Sequence, residues 1–169
     1  LSKSGGTVGS LGLIYDPEGR LVSYTVGSTV TTFVYDGPDL IAEFNGTTGT
    51  TPLRRYLHGS ATDDPLIWLE GSGTADVRQI YVNYQGSVIG TIKADGTGFE
   101  MLKYGPYGEP KNSSNDAYWS SFRFGYTGQT LLKEAQLYHY KARVYDPMMG
   151  HFLQTDPIGS KDDLNLYAY

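Results

Sequence analysis

The stretch Leu137–Tyr169 reads LYHYKARVYDPMMGHFLQTDPIGSKDDLNLYAY and sets two turn sequences between aromatic and aliphatic runs. The first turn is Tyr145-Asp146-Pro147, which is followed by Gly150, and the second is Asp156-Pro157-Ile158-Gly159. An Asp side chain accepts hydrogen bonds from backbone N–H groups two residues on, Pro fixes φ, and Gly supplies a positive φ. The stretch therefore predicts short strands that are joined by tight turns.

The same pattern occurs towards the N-terminus. LGLIYDPEGRLVSYTV reads as two strands around a turn at Asp16-Pro17-Glu18-Gly19, and TVTTFVYDGPDLIAEFNG has its turn at Asp36-Gly37-Pro38-Asp39. A two-residue hairpin turn is also predicted at Asp95-Gly96. Tyrosines that close apolar runs recur about every twenty residues, at Tyr15, Tyr35, Tyr56, Tyr81, Tyr104, Tyr126, Tyr145 and Tyr167. A period of this length is typical of repeat architectures.

The expected fold is all-β, built from antiparallel β-hairpin repeats with very little helix. Two short stretches favour a helical turn, Asn115–Trp119 and Gln129–Ala135. The predicted organisation is a hairpin array over residues 1–110, an irregular loop or boundary over residues 111–124, and a C-terminal segment over residues 125–169.

Composition narrows the function classes. The net charge is −5 and no run of Lys and Arg occurs, which argues against a nucleic-acid partner. The absence of cysteine excludes disulfide frameworks and cysteine nucleophiles. The chain begins without Met and has no long apolar window, so we expect a piece of a longer protein without a membrane span.

Motifs for metal, cofactor or nucleophilic chemistry are missing from the sequence. The three histidines, His58, His139 and His151, have no zinc-ligand spacing, so no metal is expected. No phosphate-binding loop or nucleophile elbow is present, and no cofactor is expected. No pair of acidic residues stands out, which disfavours an enzyme that acts on an external substrate such as a glycan.

The units YDPEGRL and VYDGPDLIAEF, with the ordered motifs of Leu137–Tyr169, resemble the RHS or YD-repeat proteins. Residues 125–169 resemble a truncated RHS repeat-associated core domain. The resemblance implies a shell or ribbon of spiralling β-hairpins, part of a secreted, extracellular or cell-surface bacterial protein. In that family the shell encloses and delivers a C-terminal toxin or effector.

The resemblance also implies a self-processing site of the aspartyl-protease type. The family pattern has an Arg before the YDP motif, matched by Arg143, and an Asp in a first DPxG, matched by Asp156. A second Asp in a later DPxG is absent here, and Asp146 is interpreted as structural. Two close carboxylates share a proton, so one acts as a base while the other donates. We therefore expect no self-cleavage by this fragment, and either a retained catalytic role or a turn-pinning ion pair for Arg143 and Asp156.

Two functions from different classes follow. The first is a non-enzymatic shell segment, with rows of Tyr and aliphatic residues facing inward and charges outward, whose partners are the remaining parent chain and an enclosed cargo. The second is an adhesive or filament-forming extracellular module, in which exposed strand edges pair between copies.

Overall fold

The computed structural model describes residues 10–119, 122–159 and 164–169. Its largest element is a nine-stranded antiparallel sheet in which each strand pairs with the next one in the chain. Its strands are β1 (Leu11–Tyr15), β2 (Leu21–Val26), β3 (Thr29–Asp36), β4 (Asp39–Asn45), β5 (Pro52–His58), β6 (Pro65–Glu70), β7 (Val77–Val82), β8 (Val88–Lys93) and β9 (Glu100–Met101). The predicted all-β fold of antiparallel hairpins is confirmed.

Asp and Gly close the first hairpin as the sequence predicts. The Asp16 carboxylate accepts hydrogen bonds from the backbone N–H groups of Glu18, at 3.0 Å, and Arg20, at 2.9 Å. Gly19 donates its N–H to the Asp16 carbonyl at 3.0 Å and has a φ of +81°, a conformation that costs glycine little. The turn between β3 and β4 also falls at its predicted place, after Asp36.

Later units that lack the Tyr-Asp pair keep the same turn chemistry through asparagine. The Asn83 amide oxygen accepts hydrogen bonds from the backbone N–H groups of Gln85, at 2.9 Å, and Ser87, at 3.0 Å. Asn112 does the same for Ser114 and Asp116. Asn and Asp both form such turns, so the repeat continues where its sequence signature fades.

Two smaller sheets follow. One pairs β10 (Lys103–Tyr104) with β11 (Pro110–Lys111), and the other contains β12 (Thr130–Leu132), β13 (Leu137–Tyr140), β14 (Arg143–Asp146) and β15 (His151–Phe152). A short 3₁₀ turn, Tyr126–Gly128, precedes β12. Across the described parts of the chain, no helix is long and apolar enough to cross a membrane.

The helical turns predicted at Gln129–Ala135 and Asn115–Trp119 are wrong. The first stretch forms β12 and the turn that follows it, because Leu131 and Leu132 extend to opposite faces of the strand and both are completely buried. The second is a turn in which Ala117 bridges to Lys111. Burial on two faces therefore overrides the helix propensity of Gln129–Ala135.

The four-stranded sheet packs against one face of the large sheet, and the two share a core. From the small sheet, Leu132, Leu137 and Val144 are buried in this core. The large sheet contributes Leu21, Tyr24, Phe33, Leu40, Tyr56, Trp68 and Val88. Burial of this apolar area is the main favourable term that holds the sheets together.

The opposite face of the small sheet is also buried. Leu131, Tyr138, Tyr145 and Phe152 lie opposite one another on successive strands and form a continuous row. The hydroxyls of two of these residues are satisfied, since Tyr138 donates to the Gly108 carbonyl at 3.1 Å and Tyr145 to that of Tyr107 at 2.9 Å. Buried tyrosines of this kind join the small sheet to the segment between β10 and β11.

Candidate functional site

The structure brings together Arg143 and Asp156, for which the family resemblance implies either a processing role or a turn-pinning ion pair. Arg143 begins β14, and Asp156 opens the turn that follows β15. Arg143 Nη2 lies 2.9 Å from Asp156 Oδ2, and both side chains are less than one fifth exposed. The Arg143 guanidinium also stacks over the Phe152 ring, 3.7 Å from its centroid. Cation–π contact and the ion pair together fix the orientation of the guanidinium.

The Asp156 turn is tied down on both sides. The Asp156 carboxylate accepts a hydrogen bond from the N–H of Ile158 at 2.8 Å, and Gly159, at a φ of +73°, donates to the Asp156 carbonyl at 3.0 Å. The Asp156 N–H donates to the Leu166 carbonyl at 2.9 Å. Asp156 therefore holds its own turn, binds Arg143 and anchors the C-terminal segment.

A small cavity of about 120 Å³ opens beside this ion pair. Arg143 and Asp156 line it together with Asn165 and Tyr169. Arg143 Nη1 is buried without a hydrogen-bond partner among the described residues. The site thus offers one carboxylate, engaged with arginine, and one guanidinium nitrogen, Nη1, whose N–H groups could donate to a second acceptor such as a carboxylate.

Asp146, the other carboxylate of the C-terminal motifs, lies in a different environment. It is 1% exposed, and its side chain accepts a hydrogen bond from the N–H of Met148 at 2.9 Å. Its carbonyl accepts from the N–H of Gly150 at 2.8 Å, and Gly150 has a φ of +72°. This geometry is that of a buried turn, and the structural interpretation of Asp146 stays a prediction.

The N-terminal motif residues lie outside this site. Asp16 forms an ion pair with Arg20 at 2.7 Å, and Tyr35 donates its hydroxyl to the Leu21 carbonyl at 3.0 Å. Tyr15 stands at the end of β1 and is 42% exposed. These contacts hold the first hairpins in register and bring no catalytic group to Arg143.

A buried ion pair between the sheets was not predicted. Arg123, on the segment that leads to β12, is 4% exposed, and Glu43, on β4, is 1% exposed. Arg123 donates to Glu43 Oε2 from Nη2 at 2.5 Å and from Nε at 3.0 Å. It also donates to the Leu131 carbonyl at 2.7 Å, while the Tyr56 hydroxyl donates to Glu43 Oε1 at 2.5 Å.

Electrostatics keep both members of this pair charged. Burial opposes ionisation of Glu43, but the positive charge of Arg123 and the hydrogen bonds from Tyr56 and Arg123 lower its pKa below the ordinary value. Burial likewise opposes the charge of Arg123, whose pKa is nevertheless raised by the Glu43 carboxylate. Two charged side chains are therefore buried at the centre of the sheet interface.

The three histidines lie on three different strands. His58 ends β5, His139 lies within β13, and His151 begins β15. Among residues 10–119, 122–159 and 164–169, no three His, Asp, Glu or Cys side chains are placed to hold a metal ion.

Comparison with known proteins gives matches along the whole chain. The Teneurin YD-shell family matches residues 77–169. The tRNA3(Ser)-specific nuclease WapA of Bacillus spizizenii is 28% identical over 161 residues, which is 92% of this chain and 7% of WapA. Salivary gland surface protein 1 of Aedes aegypti is 47% identical over 105 residues, or 61% of this chain and 3% of that protein.

A solved structure shows the same fold. The Photorhabdus luminescens Tc holotoxin pore, in a form with mutated TccC3, aligns with a TM-score of 0.61 and 22% identity over 99% of this chain and 8% of that one. The chain spans less than a tenth of each of these relatives. The family match covers more than half of the sequence, and the ordered Tyr-Asp hairpins agree with it. The chain belongs to the Teneurin YD-shell family of RHS and YD-repeat proteins.

Proposed function

We propose that this chain is a non-enzymatic segment of a secreted β-shell that encloses the C-terminal cargo of a larger toxin-delivery protein. The observation that carries the proposal is the uninterrupted antiparallel ladder from β1 to β9, backed on one face by the small sheet. A ladder of this kind can form the wall of a shell. The name of the Tc holotoxin supports a toxin context for the proposal, and WapA is by its name a tRNA nuclease.

The face of the large sheet opposite the small sheet supports this role. Ile14, Val34, Leu57 and Tyr81 lie on that face and are each between 42% and 57% exposed. Exposed apolar side chains on one face of a sheet are typical of a surface that another polypeptide covers. In the parent protein we assign that covering to the enclosed cargo.

Continuation of the sheet is part of the proposal. Within the described residues, β1 pairs only with β2, and its other edge is open. An open edge presents unpaired N–H and C=O groups that a neighbouring strand satisfies. We assign this neighbour to the parent chain, which would extend the wall into a closed shell.

Protease protection in the full-length parent protein tests enclosure. We expect its C-terminal cargo region to resist proteinase K while the shell is folded, and to be digested at the rate of the isolated cargo once the shell is unfolded by urea. Equal digestion rates before and after unfolding would contradict enclosure. The isolated cargo is digested at the same urea concentration as a control, because a cargo that stays folded in urea resists the protease without any shell.

The alternative function is self-association into an adhesive or filamentous surface module. The open edge of β1 favours it, since copies of the chain could pair there. Light scattering over a hundred-fold concentration range separates the two proposals. An average molar mass that grows with concentration supports the filament. A constant molar mass equal to that of the monomer excludes it.

For Arg143 and Asp156 we propose a turn-pinning role in this chain, which becomes a processing role only where a second carboxylate is supplied. The ion pair and the Asp156 turn support the first part, and the unpartnered Nη1 of Arg143 is the place for the second carboxylate.

A further inference from the structure

A second, larger cavity lies between the two packed sheets, away from Arg143 and Asp156. Its volume is about 190 Å³, and its lining comes from the turns beside β1 to β5 on one side and from β12 and β13 on the other. At roughly 30 Å³ for each water molecule, this space holds about six non-hydrogen atoms. The cavity therefore has the size of a small organic molecule.

Two imidazole rings from different sheets line this cavity. The side chain of His58 is 7% exposed, and its Nε2 lies 2.9 Å from the Leu40 carbonyl oxygen. A carbonyl oxygen only accepts, so Nε2 carries the proton and Nδ1 of the neutral ring carries a lone pair. Among the described residues, His58 Nδ1 has no hydrogen-bond partner.

His139 presents a second open nitrogen from the opposite wall. The residue is 5% exposed, and its Nε2 lacks a protein partner within the described part of the chain. A buried polar atom without a partner destabilises the fold unless something in the cavity satisfies it. Both residues line the same cavity, so a ligand inside it can supply hydrogen-bond donors to both sheets.

Of the charged side chains that line the cavity, one carboxylate is left without a cationic partner among the described residues and can bind a ligand. Lys141 is bound to Asp63 at 2.9 Å, and Arg20 to Glu18 at 2.9 Å, so both cations of the lining are neutralised. Asp39 also lines the cavity, and its Oδ1 lies 4.0 Å from His58 Nδ1, too far for a direct hydrogen bond. The open groups of the site are thus acceptors, and its one unneutralised charge is negative.

The walls add aromatic surface. Phe124 and Tyr35 line the cavity beside Leu40, and the Phe124 ring meets the His58 ring edge-on at 5.4 Å. Aromatic faces attract cations, and the aliphatic wall suits a short carbon chain. A metal ion fits less well, because no three metal-binding side chains come together in the described ranges.

We propose that this cavity binds a small primary amine in its ammonium form. The ammonium N–H groups would donate to His58 Nδ1, His139 Nε2 and the Asp39 carboxylate, and the carbon chain would lie against Phe124 and Leu40. The ligand bridges the large and the small sheet, so its binding also stabilises their packing. The proposal is independent of the shell function.

Titration calorimetry and histidine ring NMR on the whole chain test it with three probes of five non-hydrogen atoms each. n-Butylammonium carries both charge and N–H donors, n-butanol lacks the charge, and tetramethylammonium lacks the donors. We expect saturable, millimolar binding of n-butylammonium with shifts of the His58 and His139 ring signals, and at least about ten-fold weaker binding of the other two.

A matched pair of variants completes the test. Asp39→Asn should weaken n-butylammonium binding about ten-fold or more, while Asp36→Asn, in the same turn but outside the cavity lining, should leave it unchanged. No saturable binding, equal binding of the alcohol, or unchanged affinity in Asp39→Asn would overturn the proposal. Should Asp39→Asn fail to fold, the comparison of the three probes on the unaltered chain decides.

Discussion

Arg123 Nη2 lies 2.5 Å from Glu43 Oε2 across the interface of the two packed sheets, and eighty residues of sequence separate them. The contact is completely buried, and further hydrogen bonds from Tyr56 and to Leu131 satisfy both partners. An ion pair of this kind fixes how one sheet is placed on the other, because any sliding of the small sheet leaves two buried charges unpaired.

Removing one charge of this pair should be strongly destabilising. In Glu43→Gln the buried guanidinium of Arg123 loses its counter-charge, and we expect the free energy of unfolding to fall by about 3 to 5 kcal/mol. Urea denaturation followed by tryptophan fluorescence measures the change. Glu18→Gln is the control, since Glu18 pairs with Arg20 at the surface and its side chain is 70% exposed. A similar loss of stability in both variants would argue against a special role of the buried pair.

Acid should destabilise the chain in two steps. Burial lowers the pKa of His139 from 6.5 to about 4, although a backbone hydrogen bond to Lys141 opposes this shift. Between these two values the unfolded chain binds a proton that the folded chain does not, so stability falls as the pH falls from 6.5 to 4. For one histidine with this shift, the free energy of unfolding falls by about 3 kcal/mol. Glu43, with its pKa lowered from 4.5, adds a further loss below that pH.

Urea denaturation at pH 7, 5.5 and 4.5 checks the histidine step. In His139→Gln, which carries no titrating ring at this position, the free energy of unfolding should change little between pH 6.5 and 4.5. It should still fall at lower pH, where Glu43 is protonated. His151→Gln, at the partly buried start of β15, serves as the control and should retain the dependence. Identical pH profiles for the unaltered chain and His139→Gln would rule out His139 as the group that titrates.

The Asp16 turn should depend on the positive φ of Gly19. An Ala at this position meets no atom within 4 Å, so the cost of Gly19→Ala is purely conformational, about 1 kcal/mol. Gly73→Ala is the matched control, because the nearest atom there is 4.0 Å away and no positive φ is required. Thermal unfolding of the two variants compares them. Equal melting temperatures would show that the hairpin tolerates an L-residue at Gly19.

Loss of the Arg143–Asp156 ion pair should release the C-terminal segment. In Asp156→Asn the turn retains an acceptor for Ile158, while the charge that faces Arg143 is gone. We expect faster hydrogen exchange at the amides that bond to this segment, those of Phe152 and Asp156, with a local loss of about 1 kcal/mol. Arg143→Lys, which keeps the charge without the planar fork, should give an intermediate rate. Unchanged exchange in both variants would exclude the pinning role.

The same residue tests processing in the parent protein. If Asp156 acts as one of two catalytic carboxylates, Asp156→Asn abolishes self-cleavage of a parent chain that contains the second DPxG. Asp146→Asn lowers the stability of that chain but leaves its self-cleavage intact. Intact-mass spectrometry of the purified parent measures cleavage. Cleavage that persists in folded Asp156→Asn protein would leave Asp156 with a purely structural role.

Local chemistry made part of this fold predictable. The Asp16 and Asp36 turns depend on a few adjacent residues, so their sequences suffice to locate them. Gln129–Ala135 was predicted as helix because local propensity does not reveal that Leu131 and Leu132 are buried on opposite faces of a sheet. Asn83 and Asn112 preserve the turn chemistry with a different residue, which hides the repeat from a search for Tyr-Asp.

Contacts between residues far apart in the sequence could not be predicted from local chemistry. Glu43 and Arg123 look like ordinary surface charges in the sequence, and only the packing of the small sheet on the large one brings them together. The open ring nitrogens of His58 and His139 become neighbours of one cavity for the same reason. Arg143 and Asp156, thirteen residues apart, are predicted as a pair only because the chain resembles the RHS proteins, whose pattern they match.

Cryo-electron microscopy of the full-length parent protein tests the shell proposal most directly. We predict that a preceding strand of the parent chain pairs with the open edge of β1, that the sheet closes around a lumen, and that Ile14, Val34, Leu57 and Tyr81 face the density of the cargo. A β1 edge exposed to solvent, or paired with a second copy in a filament, would contradict the account.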